Sequence, residues 1–437
     1  PTASPTLGVT VTPTITASPT PTSSVTITPS PTVTLTPTGT PVGVPSGQFT
    51  IYNLTSDGGD TLQERFRDAK SDGNGKMYVC GSVEIEGQGE KPCVFRYDEA
   101  TGTIDYASYI GSDVISGHYR TIEFQKNIDP VTEEERVIGV LCGGQTYDGS
   151  RFYPVISYFD FSDIGFSTRW HVVSVFASGV ANNGAITGIV VDNDFGMQDR
   201  PYIYACGFMG KGVGFSGKID AIFYCLDVEE GDRVWTRRYN QAANKRVIPE
   251  GMTRVSGDGG NIRAVVFGKQ EQPGSFNFDG MVQQITLDKC YLSGGFRWNV
   301  SNNAGGSTTY LDAYMSRGLV YLCGESAGNA TFNVLHPTNG TMFEEVQTTT
   351  GIYNKILPFG NDILLFGTKQ IFSASGIIHR INANGIGEVA NAIRHVNKAD
   401  FSIQFNSAVH LTNDNKFIIL GEADNTNDST TRAQFIL

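Results

Sequence analysis

The chain has 437 residues, a formal net charge of −12, 51 glycines and seven cysteines, with 39% hydrophobic residues. That acidic balance excludes nucleic acid and anionic lipid surfaces as partners. No apolar run reaches the roughly 18 residues that a bilayer span requires. The sequence starts at Pro1 with neither Met nor a signal peptide, which marks a processed chain or a fragment.

Residues 1–41 resemble an ordinary Pro/Thr-rich linker until they are read by parity. Every even position from Thr2 to Thr40 is Thr or Ser, Gly8 excepted, and every proline falls on an odd position. A period of two is the signature of an extended strand with one apolar and one hydroxylated face. A polyproline II helix repeats every three residues and gives no reason for it. Proline has no N–H to donate, so its confinement to odd positions leaves all even N–H groups free along one side. Such a segment can pair along a single edge. The apolar positions Val9, Val11, Ile15, Val25, Ile27, Val33 and Leu35 are the predicted assembly strand, and Thr10, Thr12, Thr14, Thr26, Thr28, Thr34 and Thr36 on the other face are candidates for O-glycosylation. The segment has no charged residue, the first being Asp57, and it is too polar and Pro-rich to fold alone. The plainer reading is a glycosylated, mucin-like spacer.

The body divides differently. An assembly segment over 1–45 is followed by a domain over 46–437 in which one pattern recurs. A short apolar strand ends in a bulky residue or Cys and then Gly, at Gly81, Gly143, Gly207, Gly268, Gly324, Gly367 and Gly421. Each copy is preceded by one strand-like stretch and followed by another, such as RFRDAKSD before MYVCG and CVFRYD after it. A fourth stretch carries Trp170, Trp235 and Trp298 at matching places in the second to fourth copies. Successive landmarks lie 43 to 64 residues apart, the length of a four-stranded blade with generous loops. The seventh copy stops at Leu437 after its third strand, and GQFTIYNL (47–54) supplies the missing fourth at the other end. The sequence therefore predicts an all-β, seven-bladed β-propeller closed by an N-terminal strand, a closure that removes the exposed edge.

Segments such as SDGNGKMYVCG and CVFRYDEATGTIDYASYIG resemble the bacterial seven-bladed β-propeller repeats of secreted proteins. The resemblance covers residues 47–437 and loosens after the fourth blade, where Trp and the Asp-Gly turn drop out. It implies a fold and an extracellular setting, not an activity. A Pro/Thr-rich tail before a propeller is also similar to subunits of extracellular filaments.

Cys80, Cys142, Cys206 and Cys323 all precede a landmark glycine and read as small apolar fillers. Cys80 and Cys93 fall on adjacent strands of one hairpin, where a disulfide is the alternative; an odd cysteine count leaves at least one thiol unpaired within the chain. No Cys-x-x-Cys spacing is present for zinc. The six histidines, His118, His171, His336, His379, His395 and His410, are scattered over different blades, and only His118 and His410 fall near first strands. Asp192–Gly196 and Asp57–Asp60 offer clustered carboxylates without a complete calcium set and read as turns. The five Asn-x-Ser/Thr sequons at Asn53, Asn299, Asn329, Asn339 and Asn427 occur at a chance rate for this composition. No nucleophile elbow, phosphate loop or dinucleotide fingerprint occurs.

The sequence thus favours a non-enzymatic structural subunit of an extracellular filament, with copies of itself and covalent glycans as partners and with no cofactor or metal. At roughly 3.3 Å per residue the first 41 residues reach about 130 Å, against a body about 55 Å across. The alternative is a secreted or surface binding module, for a glycan or protein, on a glycosylated stalk.

Overall fold

The computed structural model describes residues 51–52 and, from 64 to 436, every segment except 86–88, 102, 110–115, 129–133, 163–164, 174–181, 193–200, 212–217, 240–245, 256–262, 273, 276, 288–295, 303–305, 338, 372, 383–391, 397–400, 412–415 and 426–430. The predicted assembly strand from Val9 to Leu35, the threonines from Thr10 to Thr36, Asp57–Asp60 and most of Asp192–Gly196 lie outside the described residues. So do Asn53, Asn427 and Cys290.

The described residues form 28 strands, β1 to β28 in chain order. They assemble into seven four-stranded antiparallel sheets, six of them built from four consecutive strands. The exception closes the ring: β1 (Ile51–Tyr52) pairs with β28 (Thr431–Ile436), Ile51 opposite Ile436 and Tyr52 opposite Phe435. The predicted seven-bladed propeller and its N-terminal closing strand are both present. The first strand of each blade is its innermost: β2 (Glu64–Ser71), β6 (Ser116–Ile128), β10 (Asn182–Asp192), β14 (Val247–Val255), β18 (Thr308–Ser316), β22 (Ile352–Phe359) and β26 (Phe401–Leu411).

The continuous apolar runs of the second strands follow from packing on both faces. Along β3 (Lys76–Ile85), Met77 and Val79 pack with Val409, Leu411, Ile418 and Leu420 of blade seven. The alternate residues Tyr78 and Cys80 pack with Ile122, Phe124 and Cys142 of blade two. The same division repeats around the ring, so that each pair of neighbouring blades shares one hydrophobic cluster.

The second strands do not end at the landmark glycine, as the sequence suggested. They run on to Ile85, Tyr147, Lys211, Glu271, Ser326, Ile371 and Asn425. The glycine marks a β-bulge in the facing first strand. In blade one Phe66 lies opposite Gly81 and Asp68 opposite Cys80, which leaves Arg67 as the extra residue. The same register shift occurs in every blade. It brings first-strand backbone so close to the glycine that a Cβ at Gly81, Gly207, Gly324 or Gly367 would overlap the carbonyl oxygen of Arg65, Ala185, Thr309 or Ile352.

In blade two the equivalent glycine is Gly144, opposite Tyr119, whereas Gly143 lies opposite Thr121. Only at Gly144 would a Cβ overlap a first-strand carbonyl, that of His118. Cys142 is therefore one residue out of step with Cys80, Cys206 and Cys323. A doublet of glycines hides its register from a sequence reader.

The tryptophans sit as expected in equivalent outer-strand positions, Trp170 opposite Tyr158, Trp235 opposite Cys225 and Trp298 opposite Gln284, each next to a second bulge. Trp170 reaches the following blade, its indole N–H donating to Val228 O at 2.9 Å.

Candidate functional site

The bulges decide what faces the centre of the ring. A bulge re-aims the extra side chain, and the seven inserted residues line a central channel with a volume of about 820 Å³. They are Arg67, Arg120, Thr187, Glu250, Leu311, Asn354 and Asn406: two cations on blades one and two, an anion on blade four and uncharged side chains on the rest. The repeat is constant in backbone and variable in chemistry.

Several of these side chains fasten one blade to the next. The Asn354 amide donates to Phe405 O at 2.6 Å, Asn406 to Phe66 O at 3.1 Å, and the Thr187 hydroxyl to Pro249 O at 2.9 Å. The residue after the bulge adds a second set of links. Lys355 of blade six reaches Asp68 of blade one at 3.1 Å and Asp312 of blade five at 3.7 Å. Asp68 also accepts from the Ser407 hydroxyl at 3.2 Å and from Ile122 N at 3.3 Å. Asp312 accepts from Ile356 N at 2.9 Å. One network thereby ties blades five, six, seven, one and two. Burial alone lowers the Lys355 pKa, but Asp312 and Asp68 outweigh it and hold the ammonium above its ordinary range. Burial raises the Asp312 carboxyl despite Lys355.

Elsewhere the channel wall is more open to a ligand. Lys70 pairs with Glu123 at 2.5 Å, Glu250 with Lys269 at 3.1 Å, and Arg67 approaches Glu422 at 3.6 Å. Arg120 has no ion pair among the described residues. Its Nε donates to His118 Nε2 at 3.2 Å, and its guanidinium lies 5.9 Å from the centre of the Phe208 ring. His118 is pushed down to about 3 by burial and then by Arg120, Arg67 and Arg65. It is therefore neutral, as accepting from Arg120 requires.

His118 and His410 line the channel as the sequence placed them. His171 and His379 sit away from it as hydrogen-bond partners, the half-buried His171 to Ser157 at 2.8 Å and the buried His379 to Tyr353 at 2.7 Å. The suggested Cys80–Cys93 disulfide is not formed. Cys80 lies opposite Val94 and Cys93 opposite Gly81, so the alternation of the pleat sends their side chains to opposite faces. Among the described residues no group of three His, Cys, Asp or Glu side chains could hold a metal, and no helix is long and apolar enough to cross a membrane.

The ring of inserted residues was missed because its members, two Arg, two Asn, a Thr, a Glu and a Leu, share no one side-chain type. A signal was nevertheless present. The inserted residue follows an aromatic in five blades, as Phe66-Arg67, Tyr119-Arg120, Tyr310-Leu311, Tyr353-Asn354 and Phe405-Asn406. The aromatic packs into the inter-blade core while its successor turns to the channel.

No family model matches the chain, and no curated protein does. Among solved structures, the chain is similar to Raptor from Chaetomium thermophilum at 9% identity and a TM-score of 0.49, covering 89% of this chain and 29% of that one. The C-terminal WD40 domain of Sif2 gives 6% identity and a TM-score of 0.46, with 89% and 98% covered. The Dos1 propeller gives 10% identity and a TM-score of 0.47, with 89% and 85% covered.

Proposed function

We propose that this chain is a non-catalytic structural subunit of an extracellular filament, in which residues 1–45 dock as a strand on neighbouring propellers. One observation carries the reading: Ile51 and Tyr52 already close the ring against β28. The period-two segment before them is surplus to closure, and its one free row of N–H groups suits an edge belonging to another molecule. The outer strands β5 (Thr103–Tyr109), β9 (Gly165–Val173), β13 (Arg233–Tyr239), β17 (Phe296–Asn302), β21 (Met342–Thr350) and β25 (Ala392–Val396) each end a sheet and supply such edges. A head-to-tail contact of this kind does not close on itself and propagates. The Thr/Ser face remains outward for O-glycans.

Electron microscopy and light scattering on the full chain, on a chain beginning at Val44 and on the double variant Val11→Asp, Ile15→Asp test the proposal. Filaments from the full chain alone support it; single particles from all three overturn it. The charged channel favours a second reading, a secreted binding module whose ligand enters the centre of the ring.

A further inference from the structure

The unpaired guanidinium of Arg120 stands out among the charges of the channel. Six cationic side chains line it, those of Arg67, Lys70, Arg120, Lys126, Arg254 and Lys355, against the four carboxylates of Asp68, Glu123, Glu250 and Asp312. The carboxylates are engaged: Asp68 and Asp312 by Lys355, Glu123 by Lys70 and Glu250 by Lys269. Of the cations, Lys126 pairs with Glu135 at 2.6 Å and Arg67 approaches Glu422 at 3.6 Å; the lining side chains still carry more cations than carboxylates, inside a protein whose net charge is −12. The excess concentrates on blades one and two, where Arg67 and Arg120 occupy equivalent bulge positions.

Arg120 is also held in one orientation. Its Nε is fixed on His118 and its plane is backed by Phe208, while the terminal NH1 and NH2 groups have no acceptor among the described residues. Burying a guanidinium that makes no ion pair is costly; burial depresses this group, Glu250 opposes the shift and Arg67 adds to it. A fixed fork of parallel N–H donors fits two oxygens of one oxyanion.

We propose that Arg120, with Arg67 on the adjacent blade, forms a binding site in the channel for the oxyanion group of a small ligand, whether phosphate, sulfate or carboxylate. The proposal rests on the binding-module reading and makes no use of the N-terminal segment. It therefore stands or falls apart from filament formation. His118 acts as a positioning residue: it accepts from Nε and so turns the fork toward the channel.

Isothermal titration calorimetry on the full chain at low ionic strength tests it with three probes: inorganic phosphate, glucuronate and maltotriose. The expected result is one site for phosphate or glucuronate with a Kd of about 1 mM or tighter. Arg120→Gln should weaken it about ten-fold or more, and Arg67→Gln by a smaller factor. Phosphate alone identifies a phosphorylated or sulfated ligand, and glucuronate alone a carboxylated one. Arg120→Lys keeps the charge but loses the fork, so it serves where the glutamine variant does not fold, and it should also bind more weakly than the parent. Thermal stabilisation of the unaltered protein by the same anions gives a readout independent of any variant. Maltotriose binding that Arg120→Gln leaves unchanged, without anion binding, overturns the anion site but leaves the binding-module reading standing. No binding of any of the three overturns both.

Discussion

Replacing Lys355 with Met tests whether the cross-channel network holds the ring together. Lys355 lies 3.1 Å from Asp68 and 3.7 Å from Asp312, with side-chain exposure of 19%. At an effective dielectric of about 20, these separations give gross attractions of roughly 5 and 4.5 kcal/mol. Desolvation of the ammonium and repulsion between the carboxylates offset much of that. What remains after deletion is two facing carboxylates with no cation between them, a state that costs about 3–5 kcal/mol. This is a large share of a typical total stability of about 5–15 kcal/mol. Denaturant unfolding followed by tryptophan fluorescence reads the loss. The Asp312 carboxyl is already raised by burial, and removing Lys355 raises it further. A folded-state pKa above the unfolded one gives stability at low pH that is lost as pH rises through the folded value. The penalty should accordingly be larger at pH 7 than at pH 5. The triple variant Asp68→Asn, Asp312→Asn, Lys355→Met, with no charge left to strand, should recover most of the loss. A Lys355→Met protein within about 0.5 kcal/mol of the parent at pH 7 would refute the network as a support of the ring.

The bulge glycines give a second test: Gly367→Ala drives a Cβ into Ile352 O and to 2.8 Å from Tyr353 Cα, so it should cost about 3 kcal/mol or more in unfolding free energy. Gly318→Ala meets no atom within 4 Å and has only a φ of +71° to pay for, about 1 kcal/mol in the same assay. His379 is pushed down to about 4 by burial. A depressed histidine favours the folded state above its ordinary pKa of 6.5, so stability should fall by up to roughly 3 kcal/mol between pH 6.5 and 4. In His379→Phe the unfolding free energy should be lower at pH 7 but flatter over that interval. Burial raises the Cys80 thiol and pushes Cys206 and Cys225 up to about 12. A disulfide reagent should therefore leave all three unlabelled until denaturant is added, and peptide mapping without reductant should find no Cys80–Cys93 linkage.

Fold and site were unequally legible in the sequence for one physical reason. A backbone constraint leaves the same mark wherever it recurs, whereas a side chain aimed at a cavity is free to differ. Gly81, Gly207, Gly324 and Gly367 are glycine because a carbonyl oxygen occupies the place of a Cβ, and this requirement recurs with every bulge. The apolar runs beside them are apolar because both faces meet a neighbouring blade. These two demands sufficed to count seven blades and to identify residues 47–54 as the source of the closing strand. They did not show where strands end, because a bulge interrupts the partner strand and not the strand that carries the glycine. Across the same bulge Arg67, Arg120, Thr187, Glu250, Leu311, Asn354 and Asn406 have a position in common but no one side-chain type, and that position becomes visible once the register of Phe66 against Gly81 is known. What places the seven together is closure through Ile51 and Tyr52, a contact between opposite ends of the body. The scaffold is thus encoded locally in each repeat, and the channel's chemistry belongs to the closed ring alone. Substitutions at the bulge glycines should therefore act on stability, and those at Arg67 and Arg120 on what the channel holds.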